Sequence, residues 1–175
     1  MAALRRGSTI GDTHTMPEHP LATRTRRDFH SLWDDGDFQP ALDTLADDVV
    51  WVNDIGAGPL RELRGKDEVI AMQLWWFDFF AANFRHELID VCASDDRVIQ
   101  VLREIGEKDG QVFDNVALYV FEVDARDPNQ FRAVRTFDRD RDNIEQFWSH
   151  YPEVSAVGSE VLLASFLPNS AAGAL

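Results

Sequence analysis

The sequence predicts an α+β fold, in which helices near the N-terminus cover an antiparallel sheet formed by later strands. Two observations support this prediction. Apolar residues recur at helical spacing in the first half of the chain, whereas strand-like segments separated by turn signals follow one another from residue 84 onward. A length of 175 residues and a hydrophobic content of 45% are typical of one globular domain with a sizeable core.

The first 83 residues predict three helices and one strand. Two short helices are separated by a turn at residues 35–36, and the second carries an amphipathic stripe over residues 38–45. Residues from about 48 to 53 form a β-branched and aromatic run, which is typical of a buried strand. A third helix follows Gly65 and is apolar nearly all round, so we expect it to be buried on more than one side.

Four consecutive strands are predicted in the second half of the chain. They cover residues 84–93, 96–107, 111–124 and 130–138. The segments between them are rich in Ser, Asp, Gly and Pro, which are turn-forming residues. This order predicts an antiparallel meander, followed by a short helix near Trp148. Beyond it, an apolar patch around Leu163 is expected to cover either a pocket mouth or a dimer seam.

The charge and cysteine content exclude several classes of function. A net charge of −14 disfavours binding to nucleic acid or to an anionic membrane, because both need clustered Lys and Arg. No stretch reaches the length of a membrane span, and the N-terminus lacks the apolar region of a secretory signal. The single cysteine, Cys92, fits a reducing compartment, so we expect a cytoplasmic protein. We expect a flexible tail at 1–20, one domain at 21–152 and an extension at 153–175.

The combination "GD…ADDVVW…RG" in residues 36–65 resembles the opening of the nuclear-transport-factor-2-like superfamily, in particular its SnoaL-like polyketide cyclases and ketosteroid isomerases. The resemblance extends from about Thr23 to Trp148. It implies a cone-shaped curved sheet wrapped around helices, with a deep apolar pocket inside. The scaffold hosts several chemistries, so the resemblance is more specific for fold than for activity.

At the positions where the isomerases of that family carry their catalytic groups, this sequence has different residues. The strand-end general base of that family corresponds to Asn53, and the tyrosine that donates to the oxyanion corresponds to Phe29. The aspartate that assists this tyrosine falls near Tyr119. All three roles change residue type, which argues for a pocket with different polar groups.

Two carboxylates at strand ends are the candidate bases. Asp54 follows the first strand: it is either a carboxylate at the rim of an apolar pocket, with a raised pKa, or an Asx-turn residue. Asp138 ends the last strand, where an acidic residue can serve the site of SnoaL-like proteins. Its alternative role is a turn or helix cap.

Further polar residues are candidates on the strands between. Tyr119 and Asn53 are predicted to polarise a substrate carbonyl, Tyr119 as an oxyanion-type donor or else as an ordinary core tyrosine. His86 is either a base or an edge residue. Arg103 and Glu104 lie on opposite faces of their strand, and whichever points inward needs a partner, but the pattern does not choose between them.

The predicted substrate contacts combine rings with two polar side chains. They are Phe29, Trp33, Trp51, Trp75, Phe79, Asn115 and Thr136. The segment "DRDRDN" imitates the start of a calcium loop but lacks its glycine and its terminal glutamate. We find no zinc pattern, P-loop or dinucleotide fingerprint, and we expect neither a metal nor a cofactor.

The leading hypothesis is therefore a cofactor-independent enzyme that isomerises, cyclises or dehydrates a hydrophobic carbonyl compound by proton transfer. A non-catalytic small-molecule-binding or dimerisation domain is the alternative, and a pocket without an inward carboxylate would favour it. A hydrolase of the epoxide hydrolase type would need Arg135 to face inward. Apolar residues on the outer face of the third long strand (Val116, Leu118, Val120) predict a homodimer.

Overall fold

The computed structural model describes residues 18–54, 60–81, 83–155 and 158–167. Its strands form one curved, open sheet of six in the order β2-β1-β6-β5-β4-β3. The strands are β1 Leu45–Asp54, β2 Glu62–Arg64, β3 Arg85–Ala93, β4 Arg97–Lys108, β5 Gln111–Asp124 and β6 Asp127–Asp138. The helices are α1 Pro20–Asp34, α2 Gln39–Asp43, α3 Lys66–Phe79, α4 Arg141–Trp148, α5 Pro152–Ser155 and α6 Ser159–Leu163.

The predicted α+β class and the four-strand meander are confirmed, because β3 to β6 pair with their neighbours in antiparallel fashion. Two pairings were not predicted. The strand β1 lies parallel to β6, and the three-residue strand β2 pairs with β1. The strand β2 has one buried residue, Leu63, between two exposed ones. A strand of three residues is too short to show any periodicity in the sequence.

The sheet has a covered inner face and a more exposed outer face. Along β5, every second residue from Phe113 to Phe121 is buried, as expected when one face of a strand packs against the core. The meander hairpin between β4 and β5 turns at Asp109 and Gly110, both with positive φ, which suits a two-residue turn. This turn sets which residues of β4 lie opposite those of β5.

An aromatic core lies between α3, the sheet and the C-terminal helices. Trp75 stacks on Phe79 with ring centroids 5.1 Å apart, and Phe79 meets Tyr151 edge to face at 5.2 Å. Trp75, Phe79 and Phe80 are all buried, as predicted. Phe80 packs so closely on Gly106 that a Cβ atom there would lie 2.7 Å from the ring.

The C-terminal segment closes the core on the side of α3. Leu163 is buried, whereas Val161 on the same helix is 63% exposed, and α6 packs against α3. No described residue of α6 lines either of the two interior cavities considered below. None of the described helices is long and apolar enough to cross a membrane.

Candidate active site

The larger interior cavity lies between α1, α2 and the inner face of the sheet and has a volume of about 120 Å³. Apolar and aromatic side chains form most of its wall, among them Phe29, Leu32, Trp33, Leu45, Trp51, Leu102, Phe121 and Phe131. A pocket of this kind suits a hydrophobic small molecule.

A second, smaller cavity of about 30 Å³ adjoins the first and is more polar. Glu104, Thr136 and Asp138 contribute to its wall. Four side chains line both cavities: Trp51, Gln73, His86 and Tyr119. These four therefore form the boundary between an apolar space and a cluster of polar groups.

Glu104 is the centre of the polar cluster and is only 8% exposed. The hydroxyl of Tyr119 donates a hydrogen bond to Oε1 of Glu104, and Nδ2 of Asn115 donates to Oε2 at 2.9 Å. Nε2 of His86 lies 3.4 Å from Oε1 of Glu104, which is an ion-pair distance. Both carboxylate oxygens are thus held by side chains of the neighbouring strands.

These partners determine the charge of Glu104. Burial by itself raises the pKa of this carboxyl. The contact with His86, which includes a positive charge when the ring is protonated, and the hydrogen bonds from Tyr119 and Asn115 outweigh burial and leave the pKa below its ordinary value. Burial raises the pKa of Tyr119 well above its ordinary value, and the negative charge of Glu104 adds to the effect. Glu104 is therefore a carboxylate and Tyr119 a neutral phenol at neutral pH.

His86 connects this carboxylate to the apolar cavity. Its side chain is only 6% exposed, and its ring lies 4.5 Å from that of Trp33 and 5.0 Å from that of Phe84, measured between centroids. Because Nε2 faces Glu104, Nδ1 is the ring nitrogen that remains to accept a proton.

Asp138 belongs to the same network. The two hydrogens of Nδ2 of Asn115 serve one carboxylate each, since this atom donates to Glu104 and also to Oδ1 of Asp138. Among the described residues, Oγ1 of Thr136 and Nε1 of Trp148 have no hydrogen-bond partner, although both atoms are buried. The cap of α4 is Asp140, whose side chain accepts from the backbone N–H of Asn143 at 3.1 Å.

The side chain of Asn53 has three partners. Its Oδ1 accepts a hydrogen bond from Nε1 of Trp51 at 2.9 Å, and its Nδ2 donates to the carbonyl of Leu60 and, at 3.9 Å, to Sδ of Met72. It also lines the smaller cavity. The backbone of Asp54 is the last residue of β1, but its side chain and residues 55–59 lie outside the described part, so its proposed role stays a prediction.

The other predicted substrate contacts divide between the cavities and the core. Phe29, Trp33 and Trp51 line the larger cavity and Thr136 the smaller one. Asn115 lines neither cavity but donates hydrogen bonds to Glu104 and Asp138, which both line the smaller one. Trp75 and Phe79 lie in the aromatic core and line neither cavity, so their contact with a substrate stays a prediction. Tyr119 lines both cavities while its hydroxyl bonds Glu104.

The apolar pattern of β4 does not determine which way Glu104 points. The register resolves it: His86, Glu104 and Asn115 lie directly opposite one another on β3, β4 and β5. The signal that could have found this row is the Asp109-Gly110 turn, because a two-residue turn pairs Lys108 with Gln111 and therefore, counting back, Glu104 with Asn115.

The described part of the chain holds no group of three or more His, Cys, Asp or Glu side chains that could bind a metal ion. The arrangement offers groups for proton transfer: a carboxylate, an imidazole beside it, and an apolar cavity that the same imidazole lines. Such a site can remove a proton from a bound molecule and return it.

Comparisons with known structures agree on the fold. Bal32a, from a soil-derived mobile gene cassette, superposes with a TM-score of 0.64 at 22% identity, covering 73% of this chain and 95% of that chain. A protein of unknown function with a cystatin-like fold from Xanthomonas campestris has a TM-score of 0.61 at 19% identity, covering 73% and 97%. A putative SnoaL-like polyketide cyclase from Jannaschia sp. CCS1 has a TM-score of 0.55 at 16% identity, covering 81% and 99%.

At these identities the likeness to solved structures establishes the fold alone. No curated protein matches the chain. The profile of one family, described as the SnoaL-like domain, matches residues 26–128, which is more than half of the chain. The chain therefore belongs to the SnoaL-like domain family.

Proposed function

We propose that the protein is a cofactor-independent enzyme that transfers a proton on a hydrophobic, carbonyl-containing small molecule, in an isomerisation, cyclisation or dehydration. The observation that carries the proposal is the position of His86, which lines the apolar cavity on one side and faces the buried carboxylate of Glu104 on the other. An imidazole that is backed by a carboxylate is a competent general base near neutral pH.

In the proposed reaction, Nδ1 of His86 removes a proton from the carbon next to the carbonyl. The ring becomes an imidazolium, which the carboxylate of Glu104 stabilises across the 3.4 Å contact to Nε2. Tyr119 and Asn115 hold the carboxylate in place through their hydrogen bonds. His86 then returns the proton to another carbon in an isomerisation, or to a departing hydroxyl in a dehydration.

The developing enolate oxygen needs a donor that is not already engaged. Tyr119 donates to Glu104, and Asn53 donates to the carbonyl of Leu60, so either residue must exchange its partner to polarise a substrate carbonyl. Gln73 of α3 lines both cavities and carries an amide donor. We therefore add Gln73 to Tyr119 and Asn53 as a proposed carbonyl donor.

Asp138 and Asp54 remain proposed alternative bases. Asp138 is supported by its position in the wall of the smaller cavity and by its link to Glu104 through Asn115. If Asp138 is the base, Asp138→Asn lowers turnover at least about 100-fold, and Glu104→Gln has a smaller effect.

Two other functions receive less support. A purely ligand-binding domain is disfavoured by the carboxylates of Glu104 and Asp138 in the cavity wall, because a binding pocket has no need to bury them. A water-mediated hydrolase of the predicted kind needs an inward arginine, but Arg135 is exposed on β6.

The test is the exchange of the α-hydrogens of 2-tetralone, a bicyclic ketone, for deuterium in D₂O, followed by proton NMR. We expect the protein to accelerate the exchange over buffer, and His86→Gln to lower the acceleration at least about 100-fold. The matched control is His30→Gln, because His30 is an exposed histidine of α1 that pairs with Asp34. Equal exchange by both variants would contradict the assignment of His86.

We also propose that the protein is a homodimer that pairs through the outer face of the sheet. Leu118 and Phe137 are cross-strand partners there and are 39% and 37% exposed. Contiguous exposed apolar side chains of this kind mark interfaces. Sedimentation at micromolar concentration should give a dimer, and Leu118→Lys should give a monomer. A monomeric parent protein would contradict the proposal.

A further inference from the structure

The larger cavity has a second polar group of residues, separate from the Glu104 network. Thr25 and Asp28 of α1 and Gln100 of β4 line this cavity but not the smaller one. They are 6%, 5% and 7% exposed, so all three are more than nine-tenths buried. Thr25 and Asp28 are three residues apart on one helix and therefore share a face.

The hydroxyl of Thr25 is not satisfied by the protein. Within the described ranges, its Oγ1 has no hydrogen-bond partner although the atom is buried. Thr44 lines the same cavity, but its hydroxyl donates to the carbonyl of Ala41 at 2.6 Å. A buried hydroxyl without a partner is costly, and a polar ligand group in this cavity would remove the cost.

The carboxylate of Asp28 can accept a hydrogen bond from a ligand, and Arg27 already balances its negative charge. Nε and Nη2 of Arg27 both donate to its Oδ1, at 3.0 and 2.7 Å, and the Arg27 side chain is 72% exposed. Oδ2 takes part in neither of these bonds. Since Arg27 supplies the positive charge, the group that Asp28 suits is a neutral donor such as a hydroxyl.

Gln100 adds an amide that can both donate and accept a hydrogen bond. Within the described residues, its side chain makes no hydrogen bond. Its position sets the scale of the ligand. Gln100 and Glu104 are four residues apart on the inner face of β4, which separates their Cα atoms by about 13 Å. The side chains of Gln100 and Glu104 therefore leave β4 at points about 13 Å apart, with the apolar Leu102 between them on the same face.

We infer that Thr25, Asp28 and Gln100 form a binding subsite for a neutral hydroxyl group at the end of the ligand remote from His86. The substrate class is then a hydrophobic ring compound with a hydroxyl at one end and a carbonyl at the other. The placement of the carbonyl at His86 rests on the proposed function, whereas the hydroxyl subsite rests on the contacts of Thr25, Asp28 and Gln100 alone.

The experiment compares 6-hydroxy-2-tetralone with 6-methyl-2-tetralone, which has nearly the same shape but no donor. Binding is measured by isothermal titration calorimetry on the full chain. We expect the hydroxyl compound to bind about tenfold more tightly, and the ratio of the two dissociation constants to fall toward one in Asp28→Asn, Gln100→Leu and Thr25→Val. The control Thr44→Val should keep the ratio, because its hydroxyl is already bonded.

The quantity compared is the ratio of the two dissociation constants within each variant. A general loss of affinity or stability affects both compounds alike and leaves this ratio unchanged. His86→Gln should keep the hydroxyl preference even though it loses exchange activity, which separates this inference from the proposed function. Equal affinity of the parent protein for the two compounds would overturn the subsite. So would a preference that survives in all three variants, or a failure of both compounds to bind at millimolar concentration.

Discussion

Glu104 and Asp124 are both buried carboxylates with lowered pKa values, but their surroundings differ in kind. Asp124 is 3% exposed and lies at the hairpin between β5 and β6. The hydrogen bonds from the Arg126 side chain and backbone lower its pKa to about 2, and Arg126 also pairs with Asp48 on β1. Its partner is a permanent cation, so the group cannot exchange a proton with it near neutral pH.

Within the described ranges, Glu104 has no arginine among its partners. The groups that outweigh its burial are an imidazole, a phenol and an amide, contributed by three residues, His86, Tyr119 and Asn115. Of these, the imidazole is the kind of group that most often serves as a general acid or base in enzymes. A lowered pKa alone therefore does not mark a site. The chemistry of the partners and the cavity beside them distinguish the reactive carboxylate from the structural one.

The largest expected difference between the two carboxylates is in activity. Glu104→Gln removes the charge that stabilises the imidazolium of His86, so we expect the exchange of the α-hydrogens of 2-tetralone to fall about 100-fold. Asp124→Asn should leave the rate within about twofold of the parent, because Asp124 lines neither cavity. Deuterium exchange by NMR measures both, and an equal loss in the two variants would remove the distinction drawn here.

The expected difference in thermal stability has the opposite order. Asp124→Asn weakens the contacts that connect the β5–β6 hairpin to Asp48 of β1, so we expect the melting temperature to fall by a few degrees. In Glu104→Gln the amide oxygen can still accept from Asn115, and the hydroxyl of Tyr119 can rotate to accept from the amide nitrogen, so we expect the melting temperature to change less. Calorimetry of the two variants tests this order, and a larger loss in Glu104→Gln would reverse it.

The smallest expected effect is a difference in acid stability. The folded pKa of Asp124 is about 2, below its ordinary value of 3.8, so its contribution to stability is complete above about pH 4 and is lost as the pH falls toward 2. The melting temperature of the parent protein should therefore approach that of Asp124→Asn as the pH is lowered through this window. A gap that stays constant from pH 6 to pH 2 would show that the carboxylate is not the source of the difference.

The sequence predicted the fold better than the site for a physical reason. The alternation of buried and exposed residues in β5 and the turn residues at the hairpins are local features, which a single chain displays. That Asn115 and Tyr119 share one face of β5 follows from the same alternation, and the family resemblance predicted that this face points inward, where both residues are buried. Strand β2 and the parallel pairing of β1 with β6 depend on contacts between distant segments, so no local sequence pattern predicts them.

The identity of the central carboxylate was harder to predict because β4 is apolar on both faces. Leu102 shares a face with Glu104, and Val101 and Ile105 share the opposite face with Arg103, so the pattern itself does not choose between the two charges. The choice is made by partners on neighbouring strands: His86 and Asn115 for Glu104 inside, and Asp114 for Arg103 outside. Those partners are visible only once the register is known.

The most direct test of the central claim is the protonation of His86, measured by ¹⁵N NMR of histidine-labelled protein at neutral pH. The assignment comes from the signal that disappears in His86→Gln. We expect Nε2 to carry a proton and to face Glu104, and the signal of Nδ1 to shift when 2-tetralone binds. A proton on Nδ1 with a bare Nε2, or a ring that does not respond to the ketone, would contradict the assignment of His86 as the base.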